Sequence, residues 1–210
     1  MRKLLAATLA AALGMTSVAA FADSGNVFVN GNIGQSDYHV NNYNSYVPGV
    51  NISQDKRDLA GALRVGYRWR SVVDYGVEFG YGDLGQNTTK GSNGVDAAHL
   101  KQKSRGWLLG GNLNYNITES WYISGRAGWY RARNTFQGRV DSPSVPGGSV
   151  NLPAYSYTGT GEYLGAGFGY NINQHFSLGL NYDQYHTRGD SVEERGTRIG
   201  LLSLGGEYRF

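Results

Sequence analysis

The sequence of 210 residues has no cysteine and only four prolines. Without cysteine, neither a disulfide scaffold nor a thiolate metal site can stabilise the fold. The four histidines are scattered singly, at positions 39, 99, 175 and 186, so we expect no metal site and no cofactor. Beyond the N-terminus, no segment approaches the roughly 18 uninterrupted apolar residues of a membrane-spanning helix. These absences exclude a membrane-spanning helix and leave a core or a membrane to stabilise the fold.

Charged residues are also sparse, at 17%, and the formal net charge is +3. The N-terminus carries two basic residues, an apolar run from Leu4 to Leu13 and the small-residue motif Ala20-Phe21-Ala22. This pattern is typical of a secretory signal peptide, so we expect residues 1–22 to be removed and residues 23–210 to form one domain. Removal would lower the net charge to about +1, so the charge does not indicate a nucleic-acid partner.

Apolar and polar residues alternate along eight segments, which is typical of strands with one apolar and one polar face. Short turns join three pairs of segments into hairpins, whereas long polar connections join the hairpins at their other end. An even strand number and this contrast in turn length predict an all-β fold, an eight-stranded antiparallel up-and-down transmembrane β-barrel. The expected strands cover residues 27–33, 59–69, 73–81, 107–115, 121–129, 164–170, 176–182 and 202–210, and the long loops cover residues 39–58, 85–102, 133–158 and 186–197.

Aromatic residues recur at both ends of the expected strands, as in the girdles of membrane barrels. Trp107 and Trp129 mark the long-loop end, and Trp69 and Trp121 mark the short-turn end. At about 3.3 Å per residue and a strand tilt near 40°, the two girdles lie roughly 20 Å apart in depth, close to the apolar band of such barrels. A soluble β-sandwich would also alternate, but it needs no such girdles.

The polar face of the strands carries an expected lumen charge network. Pairing Trp69 with Val73 would place Arg68 opposite Asp74, and Arg64 opposite Glu78, on that face. An eight-stranded lumen is just wide enough for side chains to fill it, so we expect a paired polar plug, which argues against the hydrophobic tunnel of OmpW-like channels. The expected network comprises Arg64, Arg68, Asp74, Glu78, Arg126 and Glu207.

The ending Leu202-x-Leu204-x-Gly206-x-Tyr208-x-Phe210 resembles the C-terminal assembly signal of bacterial outer-membrane proteins. The whole segment from residue 23 is similar to the OmpA transmembrane-domain and OmpX-like group of eight-stranded barrels. This resemblance implies a monomer in the outer membrane, in contact with its lipid. It also implies that the barrel assembly machinery reads Leu204, Tyr208 and Phe210.

Basic residues follow the upper aromatic residues on the outward face of the strands. The outer leaflet carries phosphorylated lipopolysaccharide, and Arg can bind a phosphate through two parallel hydrogen bonds. We therefore expect a lipopolysaccharide-binding belt, with ordinary solvated bases as the alternative. Its residues are Arg57, Lys103, Arg105, Arg131, Arg133, Arg188 and Arg198.

The long loops are the expected site of any specific activity, because tyrosines sit there among Asn, Ser and Gly, as in adaptable recognition surfaces. We expect a structural or adhesin-like role, with a surface ligand or host partner at loop tyrosines 38, 43, 46, 155 and 157. The alternatives are a small OmpW-like channel and a lipid A-modifying enzyme. No catalytic residues are expected, because position 188 is Arg and the deacylase pattern His-x-Ser is absent. The enzyme would depend on His186, Thr187, Asp190, Ser191, Glu193 and Glu194.

Overall fold

A computed structural model describes residues 25–39, 49–144, 146–187 and 196–210. The expected signal peptide lies outside these residues, as does Arg188 of the expected belt. In the described part of the chain, no helix is long and apolar enough to cross a membrane. The strands described are β1 (Gly25–His39), β2 (Asn51–Asp55), β3 (Arg57–Trp69), β4 (Asp74–Ser92), β5 (Ala97–Asn116), β6 (Trp121–Asp141), β7 (Ser149–Asn171), β8 (Phe176–Thr187) and β9 (Thr197–Arg209).

Eight of these strands form a closed antiparallel ring. Each strand from β3 to β8 pairs with the next along the chain, and β1 closes the ring by pairing with both β3 and β9. Closure satisfies the backbone hydrogen bonds of every strand in the ring, which a membrane requires. β2 lies outside the ring and pairs with the far end of β4. The predicted eight-stranded up-and-down barrel is confirmed.

Alternating side chains divide the wall of the ring into two faces. Large apolar residues point outward and stay exposed, for example Leu63 at 62% and Leu204 at 68%. Their neighbours on the same strands point inward, and Arg64 is buried there. An outer surface of exposed Leu, Val and aromatic side chains is the surface of a protein that faces lipid.

Two of the expected long loops are in fact strands. β4 runs to Ser92 and β5 starts at Ala97, so residues 85–102 form a hairpin with a turn at residues 93–96. Gly94 takes a positive φ of 89° in that turn. Likewise, β6 runs to Asp141 and β7 starts at Ser149. The expectation of irregular loops at 85–102 and 133–158 is wrong, because paired strands satisfy the backbone of a polar segment as well as water does.

We call the part of the sheet beyond the ring the surface extension. Its two hairpin tips contact each other, and hydrogen bonds from Ser142 and then Asn93 lower the pKa of the exposed Asp96 carboxyl. Because the sheet curves, the surface extension has a concave face that continues the lumen side and a convex face that continues the outer side. It consists of β2 and of residues 86–92 of β4, 97–103 of β5, 135–141 of β6 and 149–156 of β7.

The register of the first hairpin differs from the predicted one by two residues. Trp69 lies opposite Tyr75 rather than Val73, and the Asp74 carboxylate accepts a hydrogen bond from Ser71 N at 2.9 Å across the longer turn. A shift of two preserves which face each side chain occupies. However, it places Arg64 opposite Gly80. A Cβ at that glycine would lie 2.9 Å from Arg64 Cγ, so the glycine leaves space for the arginine side chain.

Candidate functional site

The middle of the lumen holds a chain of buried ion pairs. Arg64 Nε lies 3.5 Å from Glu78 Oε1, and Arg64 Nη2 lies 3.5 Å from Asp183 Oδ2. The other Asp183 oxygen lies 3.5 Å from Arg126 Nε. Arg64 and Glu78 are thus close together, although as diagonal neighbours and not as the directly opposed pair that the sequence predicted. Asp183, the residue that joins Arg64 to Arg126, was not in the expected network.

A second ion pair lies nearer the short turns. Arg68 forms a two-pronged pair with Glu207, with N–O distances of 2.7 and 3.1 Å. Its Nε also donates to Asn112 Oδ1 at 2.8 Å, and its guanidinium lies 4.5 Å from the centre of the Phe28 ring. The prediction that Arg68 pairs with Asp74 is wrong, because the Asp74 carboxylate instead accepts a hydrogen bond from Ser71 N in the turn beside it.

These six lumen groups balance in charge and leave little space. Three arginines face three carboxylates, so the lumen network as a whole is neutral. The cavity between them measures only about 20 Å³, which is about the space of one water molecule. The network consists of Arg64, Arg68, Arg126, Glu78, Asp183 and Glu207.

Tyrosines and aliphatic residues fill the other half of the lumen. Tyr185 packs between Tyr130 and Tyr163, with ring centroids 5.2 and 5.9 Å apart. Tyr163 OH donates to Glu78 at 2.7 Å, and Arg64 donates to Tyr185 OH at 2.8 Å, so this plug is bonded to the ion pairs below it. The plug was not predicted from the sequence, although each of its tyrosines lies on the polar face of its strand. The plug contains Tyr38, Tyr130, Tyr163, Tyr185, Leu84, Leu108, Ile199, Leu201, Ala60, Ala62 and Ala132.

Two of the tyrosines expected on surface loops are buried. Tyr38 is fully buried in the plug and donates to the Gly85 carbonyl at 2.8 Å. Tyr157 is also buried and stacks with Phe136, whereas Tyr155 is 44% exposed. The expectation of a loop-surface role is therefore wrong for Tyr38 and Tyr157, because strand alternation turns them inward. Positions 43 and 46 lie outside the described residues.

The last strand closes the ring with its apolar side chains facing outward. Tyr208 lies opposite Val29 on one side and Phe176 on the other. Phe210 N donates to the Val27 carbonyl at 2.9 Å, and the Phe210 ring meets Tyr208 edge-on at 4.9 Å. Leu204, the third residue of the expected assembly signal, points outward in the same way. Their recognition by the assembly machinery stays a prediction.

Four residues of the expected basic belt lie together on β5 and β6. Arg105 and Arg133 are direct cross-strand neighbours, and Arg131 lies opposite Trp107 of the upper girdle. Lys103 joins this basic rim and pairs with Asp83 at 3.1 Å. We define the basic rim as Lys103, Arg105, Arg131 and Arg133. The other two described residues of the belt lie on different strands: Arg57 on β3, 3.9 Å from Asp37, and Arg198 on β9, opposite His39 and His186.

The two described residues that an enzyme would use do not form a site together. His186 and Thr187 are adjacent on β8, so their side chains point to opposite faces of the wall. His186 lies outward between Glu162 and Arg198. Positions 190, 191, 193 and 194 lie outside the described residues. Among the described residues, no group of three His, Cys, Asp or Glu side chains could hold a metal ion.

Residues 8–210 match the family model of the outer membrane protein beta-barrel domain. The chain belongs to this family. None of the curated proteins matches it. Among solved structures, Ail of Yersinia pestis is 16% identical with a TM-score of 0.51, over 89% of this chain and 99% of Ail. OprG of Pseudomonas aeruginosa is 15% identical with a TM-score of 0.50, over 89% and 96%. The predicted resemblance to small outer-membrane barrels is confirmed.

As an outer-membrane barrel, the protein has a defined orientation. Short turns face the periplasm and long connections face the outside in such barrels. The surface extension and the tips at residues 93–96 and 142–148 are therefore extracellular. The basic rim lies at the outer interface, because Arg131 is beside Trp107 of the upper girdle. The lumen network lies within the membrane.

Proposed function

We propose that this outer-membrane barrel is a structural protein, neither a channel nor an enzyme, which binds lipopolysaccharide phosphates at its basic rim and displays the surface extension to external partners. The filled lumen supports the absence of a channel, because the tyrosine plug occupies one half and the cavity among the ion-paired groups of the other half is only about 20 Å³. The separation of His186 from Thr187 across the wall supports the absence of an enzyme activity, because a nucleophile needs a positioned base.

One observation supports the proposed binding of phosphate at the basic rim. Arg105 and Arg133 lie directly opposite each other on adjacent strands, and like charges in that position destabilise a sheet. Among the described residues, neither guanidinium has a carboxylate within salt-bridge distance, since Asp83 pairs with Lys103. An anion between the two arginines would remove the repulsion. A phosphate accepts paired hydrogen bonds from guanidinium groups, and lipopolysaccharide presents phosphates at this depth of the outer leaflet.

The test compares wild type with the double variant Arg105→Gln/Arg133→Gln. Both proteins are placed in lipopolysaccharide-containing membranes and in phospholipid-only membranes, and their thermal unfolding is followed. We expect lipopolysaccharide to raise the unfolding temperature of wild type and to raise that of the variant much less, because the variant has lost the charge that attracts phosphate.

A matched control removes the same charge higher on the convex face, as Lys101→Gln/Arg139→Gln. This control should keep the full stabilisation by lipopolysaccharide. If both double variants lose the same part of it, or if neither loses any, the basic rim is ordinary surface charge and the proposal is wrong.

A second candidate function is recognition of a sulfated polysaccharide by the convex face of the surface extension. Lys90, His99 and Arg139 form one row across β4, β5 and β6, although Asp141 lies 2.8 Å from Arg139. The related barrel Ail has been solved in complex with the heparin analogue sucrose octasulfate, with a TM-score of 0.50 and 16% identity to this chain. Titration with sucrose octasulfate tests this function. Lys90→Gln/Arg139→Gln should weaken binding, whereas Arg105→Gln/Arg133→Gln should not.

A further inference from the structure

The concave face of the surface extension contains an apolar groove that none of the functions above uses. Its volume is about 620 Å³, in the range of small-molecule sites. Aliphatic and aromatic side chains from four strands form its walls, with polar amides at one end. The side chains that define it are Ile52, Leu100, Phe136, Leu152, Tyr155 and Asn87.

A glycine lets two leucines of the groove wall pack closely over the sheet. Gly138 lies opposite Leu152 on one side and Leu100 on the other. A Cβ at Gly138 would stand 2.8 Å from Leu152 Cδ1 and 3.3 Å from Leu100 Cδ2. A larger residue there would therefore collide with both leucines, push them from their positions and distort the wall of the groove.

The polar end of the groove carries an unused hydrogen-bonding group. Asn87 is only 6% exposed, and its Oδ1 has no hydrogen-bond partner among the described residues. Its cross-strand neighbour Gln102 differs, because Gln102 donates to Thr197 Oγ1 at 3.1 Å. Buried acceptors are nearly always satisfied in native proteins. The unpaired oxygen therefore points to a ligand that donates a hydrogen bond.

The position of the groove excludes the acyl chains of the membrane as its ordinary occupant. Leu100 lies seven residues before Trp107 on β5. At about 3.3 Å per residue and a tilt near 40°, it stands roughly 18 Å beyond the outer aromatic girdle. A ligand must reach the groove from the extracellular side.

We propose that the groove binds a small apolar molecule that carries one hydroxyl group, with the apolar body between Leu100, Leu152 and Phe136 and the hydroxyl donating to Asn87 Oδ1. The apolar body matches the apolar side chains of the walls, and the single hydroxyl supplies the hydrogen bond that the Asn87 oxygen lacks. This site is independent of phosphate binding at the basic rim, which lies on the other face of the sheet.

The test uses 1-naphthol, a fused aromatic molecule with one hydroxyl, and naphthalene, which lacks it. The protein is placed in nanodiscs with isotope-labelled isoleucine and leucine methyl groups, and the methyl signals are followed by NMR. We expect 1-naphthol to shift the signals of Ile52, Leu100 and Leu152 in a saturable way. The lipid-facing Leu109 and Leu164 should show only the small, unsaturable change caused by partition into the bilayer.

Three variants separate this proposal from nonspecific binding. Gly138→Phe should abolish the saturable shifts, whereas Thr158→Phe, which places the same aromatic side chain on the convex face, should leave them unchanged. Asn87→Ala should weaken the binding of 1-naphthol about three- to tenfold and leave naphthalene unaffected, because only the former donates to the lost acceptor. The proposal is overturned if the two Phe variants behave alike, if Asn87→Ala changes both ligands equally, or if the groove methyl groups contact lipid chains instead.

Discussion

The paired charges of Arg68 and Glu207 allow a quantitative test of how the lumen stabilises the barrel. Both side chains are about nine-tenths buried, at 9% and 10% exposure, and two hydrogen bonds join them. Removing one partner leaves the other charge buried and unpaired, which typically costs about 3–5 kcal/mol. Arg68→Met should cost slightly more than Glu207→Gln, because it also loses the bond to Asn112, worth about 1 kcal/mol.

The double variant Arg68→Met/Glu207→Gln removes both charges at once. Replacing a buried pair as a whole is often nearly neutral, so the double variant should be destabilised no more than the worse single variant. The coupling free energy should then be at least about 3 kcal/mol, the cost of the milder single variant, which is within the range measured for close charge pairs. Urea unfolding in phospholipid vesicles, followed by tryptophan fluorescence, gives the free energy of unfolding of all four proteins.

A second cycle, between Arg68 and Asp74, is the control. The sequence predicted that pair, but in the structure Asp74 caps the turn at Ser71. The free energies of Arg68→Met and Asp74→Asn should add to within about 0.5 kcal/mol. The observed arrangement of the lumen would be refuted if the free-energy costs of Arg68→Met and Glu207→Gln simply added, or if those of Arg68→Met and Asp74→Asn were strongly coupled.

Three further predictions follow from the fold and the site. Deleting Phe210 should sharply reduce membrane insertion, because the deletion removes the bond to Val27 and the contact with Tyr208 that fix the end of the closing strand; normal heat-modifiable migration on a gel would contradict this. The purified protein should give no steady conductance in a planar bilayer, and a regular open state would show that the lumen is not sealed. The mass spectrum of lipid A should be the same for cells with the wild-type protein and cells with His186→Ala; a mass shift that the variant abolishes would instead indicate an enzyme.

The sequence predicted the membrane barrel because period-two alternation survives any even shift in register. Leu63 and Arg64 keep their faces whether Trp69 pairs with Val73 or with Tyr75. The partners of the charged residues depend on the register itself and on contacts across the barrel. Arg68 meets Glu207 from the last strand, and no local pattern around either residue encodes that distance along the chain. The sequence therefore predicts which residues face the lumen more easily than it predicts which of them form ion pairs.

The tyrosine plug and the long hairpins were missed for a different reason. Tyr130 and Tyr185 lie on the polar face of their strands, where charged groups were expected. A Tyr hydroxyl can nevertheless bond to polar neighbours while its ring packs: the Tyr130 hydroxyl bonds to Ser104, and the Tyr185 hydroxyl accepts from Arg64. The segments at 85–102 and 133–158 are polar, and polar composition suggests loops. Each forms a hairpin because its own two halves supply the hydrogen bonds, with Gly94 in the turn of the first and Gly147 and Gly148 near the tip of the second.

A filled lumen restricts where this protein can act. With the interior occupied by ion pairs and tyrosines, binding must occur on the outer surface of the wall or beyond the membrane. The chain extends β4 to β7 past the ring, and the concave face of that extension holds Gly138 and the unpaired Asn87 oxygen in an apolar groove. Just below the extension, on the outer face of the wall, Arg105 lies opposite Arg133 beside the membrane. Because adjacent residues of a strand point to opposite faces, one sheet can hold an anion site and an apolar site without either constraining the other.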